Sequence, residues 1–208
     1  MQFDLGEDWF KNQRLLKKVL NKKFSSDDSL VFAEVGSWKG RSAIWFINNF
    51  LNNPSSYIYC IDTWDINDWN DFNQEKTLLT TNIERAKELK VDTIYDQFIF
   101  NLKHLGLINK VKILRQRSVD ALLNLEDGKL DFIYIDGDHS EKGCYEDLNY
   151  AWPKIKNGGI LFGDDWIWND SGVYPVQHAV KQFADENRLK IKPYFFHGNG
   201  YYLEKITD

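Results

Sequence analysis

Two short apolar runs, residues 132–135 and 160–162, each end in a group of aspartates. The runs consist largely of β-branched and aromatic residues, which is typical of buried parallel strands. In open α/β sheets the carboxyl ends of parallel strands meet along one edge, and ligands bind there. The pattern therefore predicts that four carboxylates lie together at this edge: Asp136, Asp138, Asp164 and Asp165.

Carboxylates held this close repel one another and shift each other's pKa values. A packed fold therefore gathers them where they bind a cation or transfer a proton. The alternative is that these acids cap helices, because Asp is a favoured N-cap residue. The sequence leaves both interpretations open.

A glycine-containing turn, residues 34–42, joins the first predicted strand to the next helix. Gly36 and Gly40 allow a sharp turn and a close approach of a ligand to the backbone. The dinucleotide fingerprint needs a second glycine two positions after the first, but Trp38 stands there and would crowd a pyrophosphate. The turn therefore favours a cofactor without phosphates, or else serves only tight packing of strand against helix.

Asp62 follows the second predicted strand, residues 57–61, and lies 22 residues after Gly40. An acid at this place commonly accepts hydrogen bonds from both hydroxyls of a ribose. The glycine turn and Asp62 together predict an adenosine-type ligand.

The hydrophobic pattern predicts an α/β chain with one domain, residues 1–208. The predicted fold is a doubly wound, Rossmann-like, seven-stranded sheet, mostly parallel with an antiparallel C-terminal hairpin strand. Residues 63–92 are polar and too long for an ordinary connection, which predicts a substrate loop or lid. Helices are expected near residues 8–23, 42–51, 94–105, 119–125, 143–152 and 175–187, further strands at 30–35, 111–114 and 160–163, and the hairpin at 191–196 and 201–206.

The composition argues for a small-molecule partner. A net charge of −5 and a pI near 5.4 give no overall basic surface for nucleic acid or an anionic membrane. Cys60 and Cys144 lack metal-ligand spacing and are expected to be reduced thiols. The acidic N-terminal segment and the absence of an 18-residue apolar run predict a cytoplasmic protein. The sequence does not define the oligomeric state, and a homo-oligomer stays open.

Four motifs in order resemble the class I S-adenosylmethionine-dependent methyltransferases, over residues 30–165. The chain is most similar to the group that contains the macrolide- and aminocoumarin-sugar O-methyltransferases, with the catechol O-methyltransferases as more distant relatives. The resemblance implies S-adenosyl-L-methionine as the cofactor and a hydroxyl of a small molecule or sugar as the acceptor. The motifs are Glu34-x-Gly36-x-x-x-Gly40-x-Ser42, Asp62, Asp136-Gly-Asp138-His139-Ser140 and Gly158-Gly159 followed by Gly163-Asp164-Asp165.

The same resemblance implies which residues hold the ligands. Asp62 would bind the ribose and Ser118 would lie near the adenine. A magnesium ion would be held by Asp136, Asp164 and Asp165, which agrees with the preference of Mg²⁺ for hard oxygen ligands. The remaining cofactor-binding residues would be Glu34, Gly36, Ser37, Gly40 and Ser42 around the methionine end, together with Asp136.

Methyl transfer to a hydroxyl needs a proton acceptor. Asp138 is the leading candidate, because a carboxylate beside a divalent cation stays ionised, and His139 is the second. His139 has a structural alternative, which is to cap the helix predicted near residue 143. A metal-independent methyltransferase with His139 as the base is also consistent with the motifs.

Two other functions fit parts of the pattern. An NAD-dependent oxidoreductase uses a similar sheet, but the missing second glycine of the dinucleotide fingerprint argues against it. A non-catalytic nucleoside-binding protein could keep the same fold, because a fold alone does not establish activity.

Overall fold

The computed structural model describes residues 1–25, 27–65, 93–189, 192–194 and 199–206. The helices are α1 (Gln13–Leu20), α2 (Arg41–Phe50), α3 (Thr93–His104), α4 (Ser118–Leu123), α5 (Glu141–Ala151) and α6 (Pro175–Glu186). The strands are β1 (Val31–Val35), β2 (Tyr57–Asp62), β3 (Val111–Arg115), β4 (Leu130–Ile135), β5 (Ile155–Gly163), β6 (Lys192–Tyr194) and β7 (Gly200–Glu204).

The strands form one sheet in the order β3-β2-β1-β4-β5-β7-β6. Strands β1 to β5 pair in parallel, whereas β7 runs antiparallel to both β5 and β6. The predicted class is confirmed: a Rossmann-like, mostly parallel sheet with antiparallel C-terminal strands. The chain order reverses between β1 and β4, and in such sheets the crevice at this switch point is where ligands bind.

Apolar side chains cover both faces of the sheet. One cluster of buried residues packs α1, α2 and α3 against the sheet, and a second packs α4, α5 and α6 against it from the other side. Every residue of β4 is buried. Because β4 is covered on both faces, its residues 132–135 form a continuous apolar run that does not alternate.

The N-terminal helix is shorter than the predicted 8–23. It spans Gln13–Leu20, and the residues before it run without regular structure. Trp9, expected on the apolar stripe, is 47% exposed, while its neighbour Phe10 is buried. Hydrogen bonds from this preceding segment to the rest of the protein compete with the helix that its hydrophobic pattern favours.

Strand β5 begins at Ile155, five residues before the predicted start. Gly158 and Gly159 lie within the strand, where its pairing with β4 is irregular. A Cβ on Gly159 would lie 2.6 Å from Ile155 Cγ2, so the tight contact explains the glycine there.

Two expectations lie wholly or partly outside the described residues. Of the predicted substrate loop, only residues 63–65 are described, and of the predicted hairpin turn at 197–200 only residues 199 and 200 are described. None of the helices in the described part of the chain combines the length and the apolar character needed to cross a lipid bilayer.

Candidate active site

Backbone hydrogen bonds continue past the ends of β1, β2, β4 and β5, so the carboxyl ends of these four strands lie side by side. Gly36 N donates to Ile61 O at 2.9 Å, and Asp136 N donates to Val35 O at 2.9 Å. Asp164 N donates to Ile135 O at 3.0 Å. The turns after β1, β4 and β5 therefore meet at one edge, beside the end of β2.

Gly36 brings the glycine turn into contact with the acidic turn after β4. Its φ is +85°, and a Cβ placed on it would lie 1.9 Å from the carbonyl oxygen of Asp136. Only glycine fits such a conformation at such a distance. Gly40 also has a positive φ, +86°, and packs against the ring of Phe98.

Asp62 is held at the end of β2 by two backbone donors. Its Oδ2 accepts from Trp38 N at 2.9 Å, and its Oδ1 accepts from Trp64 N at 2.7 Å. Trp38, which stands where the dinucleotide fingerprint has glycine, adopts a left-handed φ of +45°. Because each carboxylate oxygen has two lone pairs, Asp62 keeps accepting capacity for a ligand hydroxyl.

Glu34 is fully buried below the glycine turn. Its Oε2 accepts from Ser42 Oγ at 2.8 Å, and Ser37 and Cys60 lie close enough to lower the pKa of the carboxyl, but among the described residues neither Glu34 Oε1 nor Ser37 Oγ makes a hydrogen bond of full geometry. Burial raises the pKa of Glu34 to about 7. Unpaired buried polar atoms are rare, and they call for an explanation such as a bound ligand.

Asp136, His139 and Asp165 form the candidate centre of the site. His139 Nε2 lies 2.8 Å from Asp165 Oδ2 and 3.6 Å from Asp136 Oδ1. One ligand atom from each of the three residues falls within 4.8 Å of the others. Sequence analysis had placed Asp164, not His139, in this set.

The cluster perturbs its own protonation. Burial raises the pKa of Asp136 to about 6, and the charge of Asp165 adds to this. Burial by itself would lower the pKa of His139, but the neighbouring carboxylates of Asp136 and Asp165 raise it to about 10. Without a metal ion, a protonated imidazole therefore neutralises part of the charge of the two carboxylates.

Asp164 is engaged within the protein. Its Oδ1 accepts from Asn12 Nδ2 at 2.6 Å and from Asp165 N at 2.8 Å, and its Oδ2 accepts from the hydroxyl of Tyr134. Burial and the charges of Asp136 and Asp165 hold the pKa of Asp164 well above its usual range. Asp164 therefore has little remaining capacity to bind a further group.

Asp138 lies apart from this cluster, over the first turn of α5. Its Oδ1 accepts from Ser140 N at 2.8 Å, and its Oδ2 would lie 2.1 Å from a Cβ on Gly143. The helix cap itself is Ser140, whose Oγ accepts from Gly143 N at 3.0 Å. His139 thus joins the acids, while Asp138 takes the position at the helix start.

Ser118, the residue expected near adenine, is the first residue of α4 and is half-buried. Its hydroxyl donates toward the buried carboxylate of Asp147, and this contact lowers a pKa that burial raises to about 7. Asp147 Oδ2 has no hydrogen-bond partner among the described residues.

Sequence reasoning missed three residues that contact the acidic pair: Asn12, Tyr134 and Asn199. Asn12 falls inside the helix predicted at 8–23, although in the structure it directly precedes α1, and Asn199 lies in a predicted turn. Tyr134 is one aromatic residue in an apolar strand, although a buried Tyr usually pairs its hydroxyl. The identity of their partners depends on the tertiary structure.

The tryptophans that follow the strand ends have different environments. Trp64 and Trp166 are buried, in line with a packing role. The Trp168 ring centroid lies 5.0 Å from that of His139, so an aromatic surface borders the cluster. Trp69 lies outside the described residues.

Comparison with protein families identifies one match. A family model described as a methyltransferase domain matches residues 33–166, which include the glycine turn, Asp62, Asp136, His139 and Asp165. A search of the curated proteins finds no significant match.

Many solved structures share the fold. The structure of the O-methyltransferase NovP is 14% identical, with a TM-score of 0.64 over 93% of this chain and 77% of that one. Cofactor-bound Rv0187 from MTB is 14% identical, with a TM-score of 0.66 over 96% of this chain and 83% of that one. An O-methyltransferase from Bacillus cereus in complex with SAH is 16% identical, with a TM-score of 0.58 over 100% and 84%. At these identities the likeness concerns the fold.

Proposed function

From the premise that the chain belongs to the methyltransferase-domain family and has the class I S-adenosylmethionine-dependent methyltransferase fold, we propose that it methylates a hydroxyl of a small molecule or sugar. The proposed reaction is assisted by a divalent cation, Mg²⁺. The observation that carries the proposal is the meeting of Asp136, His139 and Asp165 beside the glycine turn. The 1.9 Å approach of a Gly36 Cβ to Asp136 O expresses how closely the two turns are packed.

The cofactor would lie along the glycine turn. Unpaired Glu34 Oε1 and Ser37 Oγ offer an acceptor and a hydroxyl at its methionine end. Asp62 would accept hydrogen bonds from the ribose, with Ser118 farther along the sheet edge near the adenine. Gly40 and Ser42 would complete the pocket through the start of α2.

The donor atoms fit a hard divalent cation. Asp136 Oδ1 and Asp165 Oδ2 are carboxylate oxygens, the ligand type that Mg²⁺ prefers, and two ligands from the protein leave positions for water and for substrate oxygens. The imidazole of His139 now lies between these oxygens. Asp164 would contribute mainly by holding Asp165, because its own oxygens already accept three hydrogen bonds.

The reaction would be a direct displacement. The C–S bond of the sulfonium breaks as the methyl carbon bonds to the acceptor oxygen, and S-adenosylhomocysteine leaves. A bound cation would lower the pKa of the acceptor hydroxyl. A cation beside the imidazole would disfavour its protonated form, so that His139 Nε2 could take the hydroxyl proton, and Asp165 would stabilise the imidazolium that results.

The acceptor class is supported by the surroundings of the cluster. A vicinal diol could present two oxygens to one cation, and the flat face of Trp168 beside His139 suits a sugar or an aromatic ring. The O-methyltransferase names of NovP and the Bacillus cereus protein agree with oxygen as the target atom.

One observation favours a second mechanism. His139 bridges both carboxylates and so occupies the place where a cation would be expected. A metal-independent methyltransferase would use this same His139 as its base, but only after the imidazolium that the two carboxylates favour has lost its proton. Sensitivity to a chelator separates the two mechanisms.

Calorimetric titration with S-adenosylhomocysteine and, separately, with NAD⁺ tests the proposal, each with Mg²⁺ and with a chelator. We expect S-adenosylhomocysteine, the product formed from the cofactor, to bind and NAD⁺ not to bind. A screen of vicinal diols for methyl transfer then follows, and turnover should stop when the cation is chelated. Binding of NAD⁺ would indicate an oxidoreductase, and product binding without turnover on any acceptor would favour a nucleoside-binding protein.

A further inference from the structure

Asn12 and Asn199 are 187 positions apart in sequence and meet beside the Asp164–Asp165 pair. Asn12 Nδ2 donates to Asp164 Oδ1 at 2.6 Å, and Asn199 Nδ2 donates to Asp165 Oδ1 at 3.0 Å. The two asparagines are joined as well, since Asn199 N donates to Asn12 Oδ1 at 3.0 Å. Each aspartate thus has its own amide donor, and the donors support each other.

Asn199 also holds the backbone that follows the pair. Its carbonyl oxygen accepts from Trp166 N at 2.9 Å, and its Oδ1 accepts from Ile167 N at 2.5 Å. Asp165 has a left-handed φ of +58°, a conformation that non-glycine residues rarely adopt and that surrounding contacts must maintain. Asn199 provides such contacts, because it forms hydrogen bonds with the side chain of Asp165 and with the backbone N–H groups of Trp166 and Ile167.

This arrangement determines which oxygen of Asp165 faces the cluster. Oδ1 is occupied by the amide of Asn199, while Oδ2 lies 2.8 Å from His139 Nε2. A partial rotation of the carboxylate plane would break the bond to Asn199, whereas a half turn only exchanges two equivalent oxygens. Asn199 therefore restricts Asp165 to the orientation in which Oδ2 lies near Asp136.

We propose that Asn199, supported by Asn12, is a positioning residue that presents Asp165 Oδ2 to a divalent cation. The inference rests on the proposed function, because it assumes that Asp136 and Asp165 bind that cation. Hydrogen-bond partners of metal-binding carboxylates orient them, and removal of such a partner typically weakens metal binding about 10- to 100-fold.

Binding of Mn²⁺ to the full-length protein, without acceptor or turnover, tests the role directly. We expect Asn199→Ala to raise the Mn²⁺ dissociation constant about 10- to 100-fold in calorimetry. Affinity for S-adenosylhomocysteine should stay at the wild-type value, because its pocket lies at the ends of β1 and β2. Asn149→Ala is the matched control, since the side chain of Asn149 donates to Tyr145 O one helical turn back, and it should leave both affinities unchanged.

A second variant separates orientation from charge. Asn199→Asp keeps an oxygen for Ile167 N but replaces the donor to Asp165 with a carboxylate oxygen. Electrostatics alone predicts tighter Mn²⁺ binding, because a negative charge is added, whereas loss of orientation predicts weaker binding. We expect weaker binding.

Three results would overturn the inference. The first is an unchanged Mn²⁺ affinity in Asn199→Ala, and the second is tighter binding in Asn199→Asp. The third is a parallel loss of Mn²⁺ and S-adenosylhomocysteine affinity, which would indicate only a structural role. If the wild-type protein does not bind Mn²⁺, the metal dependence of the proposed function is rejected, and the role of Asn199 with it. This outcome differs from the three above, in which the wild-type protein binds Mn²⁺ and only the role of Asn199 is rejected.

Discussion

At the scale of the residue, two neighbours on the same turn have different surroundings. His139 contacts the acidic cluster at 2.8 Å from Asp165, while the carboxylate of Asp138 packs over the start of α5. The chemical argument from sequence preferred the carboxylate as the base. In the proposed function the base is the imidazole, because it lies beside the carboxylates that would hold the cation and the acceptor hydroxyl.

We therefore expect His139→Gln to lower kcat by about 10²- to 10⁴-fold, the usual contribution of a general base. Asp138→Asn is the matched control and should retain most of the activity, because Asn can still accept from Ser140 N. Methyl transfer is measured with the acceptor that the diol screen identifies, and S-adenosylhomocysteine affinity checks the fold of both variants. A larger loss in the Asp138 variant would reverse the assignment.

At the scale of the element, the N-terminal segment, the glycine turn and helix α3 are joined by one buried side chain. Asn101 on α3 donates from Nδ2 to Asp4 O at 2.7 Å and to Lys39 O at 2.9 Å, and its Oδ1 accepts from Asp4 N at 3.2 Å. Arg41 Nη2 adds a bond to Gly6 O at 2.8 Å. These contacts explain why residues before Gln13 do not continue the helix.

Replacement of Asn101 by Ala should lower the free energy of unfolding by about 2–3 kcal/mol. The change leaves partly buried backbone groups of Asp4 and Lys39 without partners, and each such group costs about 1–3 kcal/mol. Urea denaturation gives the value. Asn49→Ala is the control, because Asn49 donates to Trp45 O within its own helix, and its cost should stay near 1 kcal/mol. Equal effects would show that Asn101 does not join the three elements.

At the scale of the whole molecule, buried acidic side chains make the free energy of unfolding depend on pH. Burial raises the pKa of Glu34 and of Asp147 to about 7, and that of Asp136 to about 6. A group with a raised pKa in the folded protein binds its proton more tightly there than in the unfolded chain. Its stabilising contribution is complete below the unfolded pKa and disappears as the pH rises through the folded value.

The free energy of unfolding of the metal-free protein should therefore fall from pH 4.5 to pH 8. For Glu34 the pKa rises from 4.5 to about 7, and at about 1.4 kcal/mol per pKa unit its share is about 3 kcal/mol. Glu34→Gln should flatten the pH dependence by roughly this amount, as measured by urea denaturation across the range with a chelator present. Glu126→Gln, at an exposed position, is the control and should leave the pH dependence of the free energy of unfolding unchanged. If Glu34→Gln keeps the wild-type pH dependence, Glu34 is not its source.

Local patterns were sufficient for most elements of the fold. β-Branched and aromatic runs marked β1 and β2 to within a residue and β4 to within two, because most residues of these runs are apolar and buried. The local patterns predicted the wrong bounds for α1 and the wrong start for β5. At both places contacts distant in sequence decided the backbone, through Asn101 in the first case and through the close packing of Gly159 in the second.

By itself, the sequence determined that acids would follow β4 and β5 and that a glycine turn would follow β1, because strand ends and positive-φ glycines are local features. The tertiary structure decided which side chains face one another. It placed His139 between Asp136 and Asp165, turned Asp138 onto a helix start and enclosed Asp164 between Asn12 and Tyr134. The physical reason is that a side chain's orientation is set by hydrogen-bond partners from other elements, and no spacing along one chain segment identifies those partners.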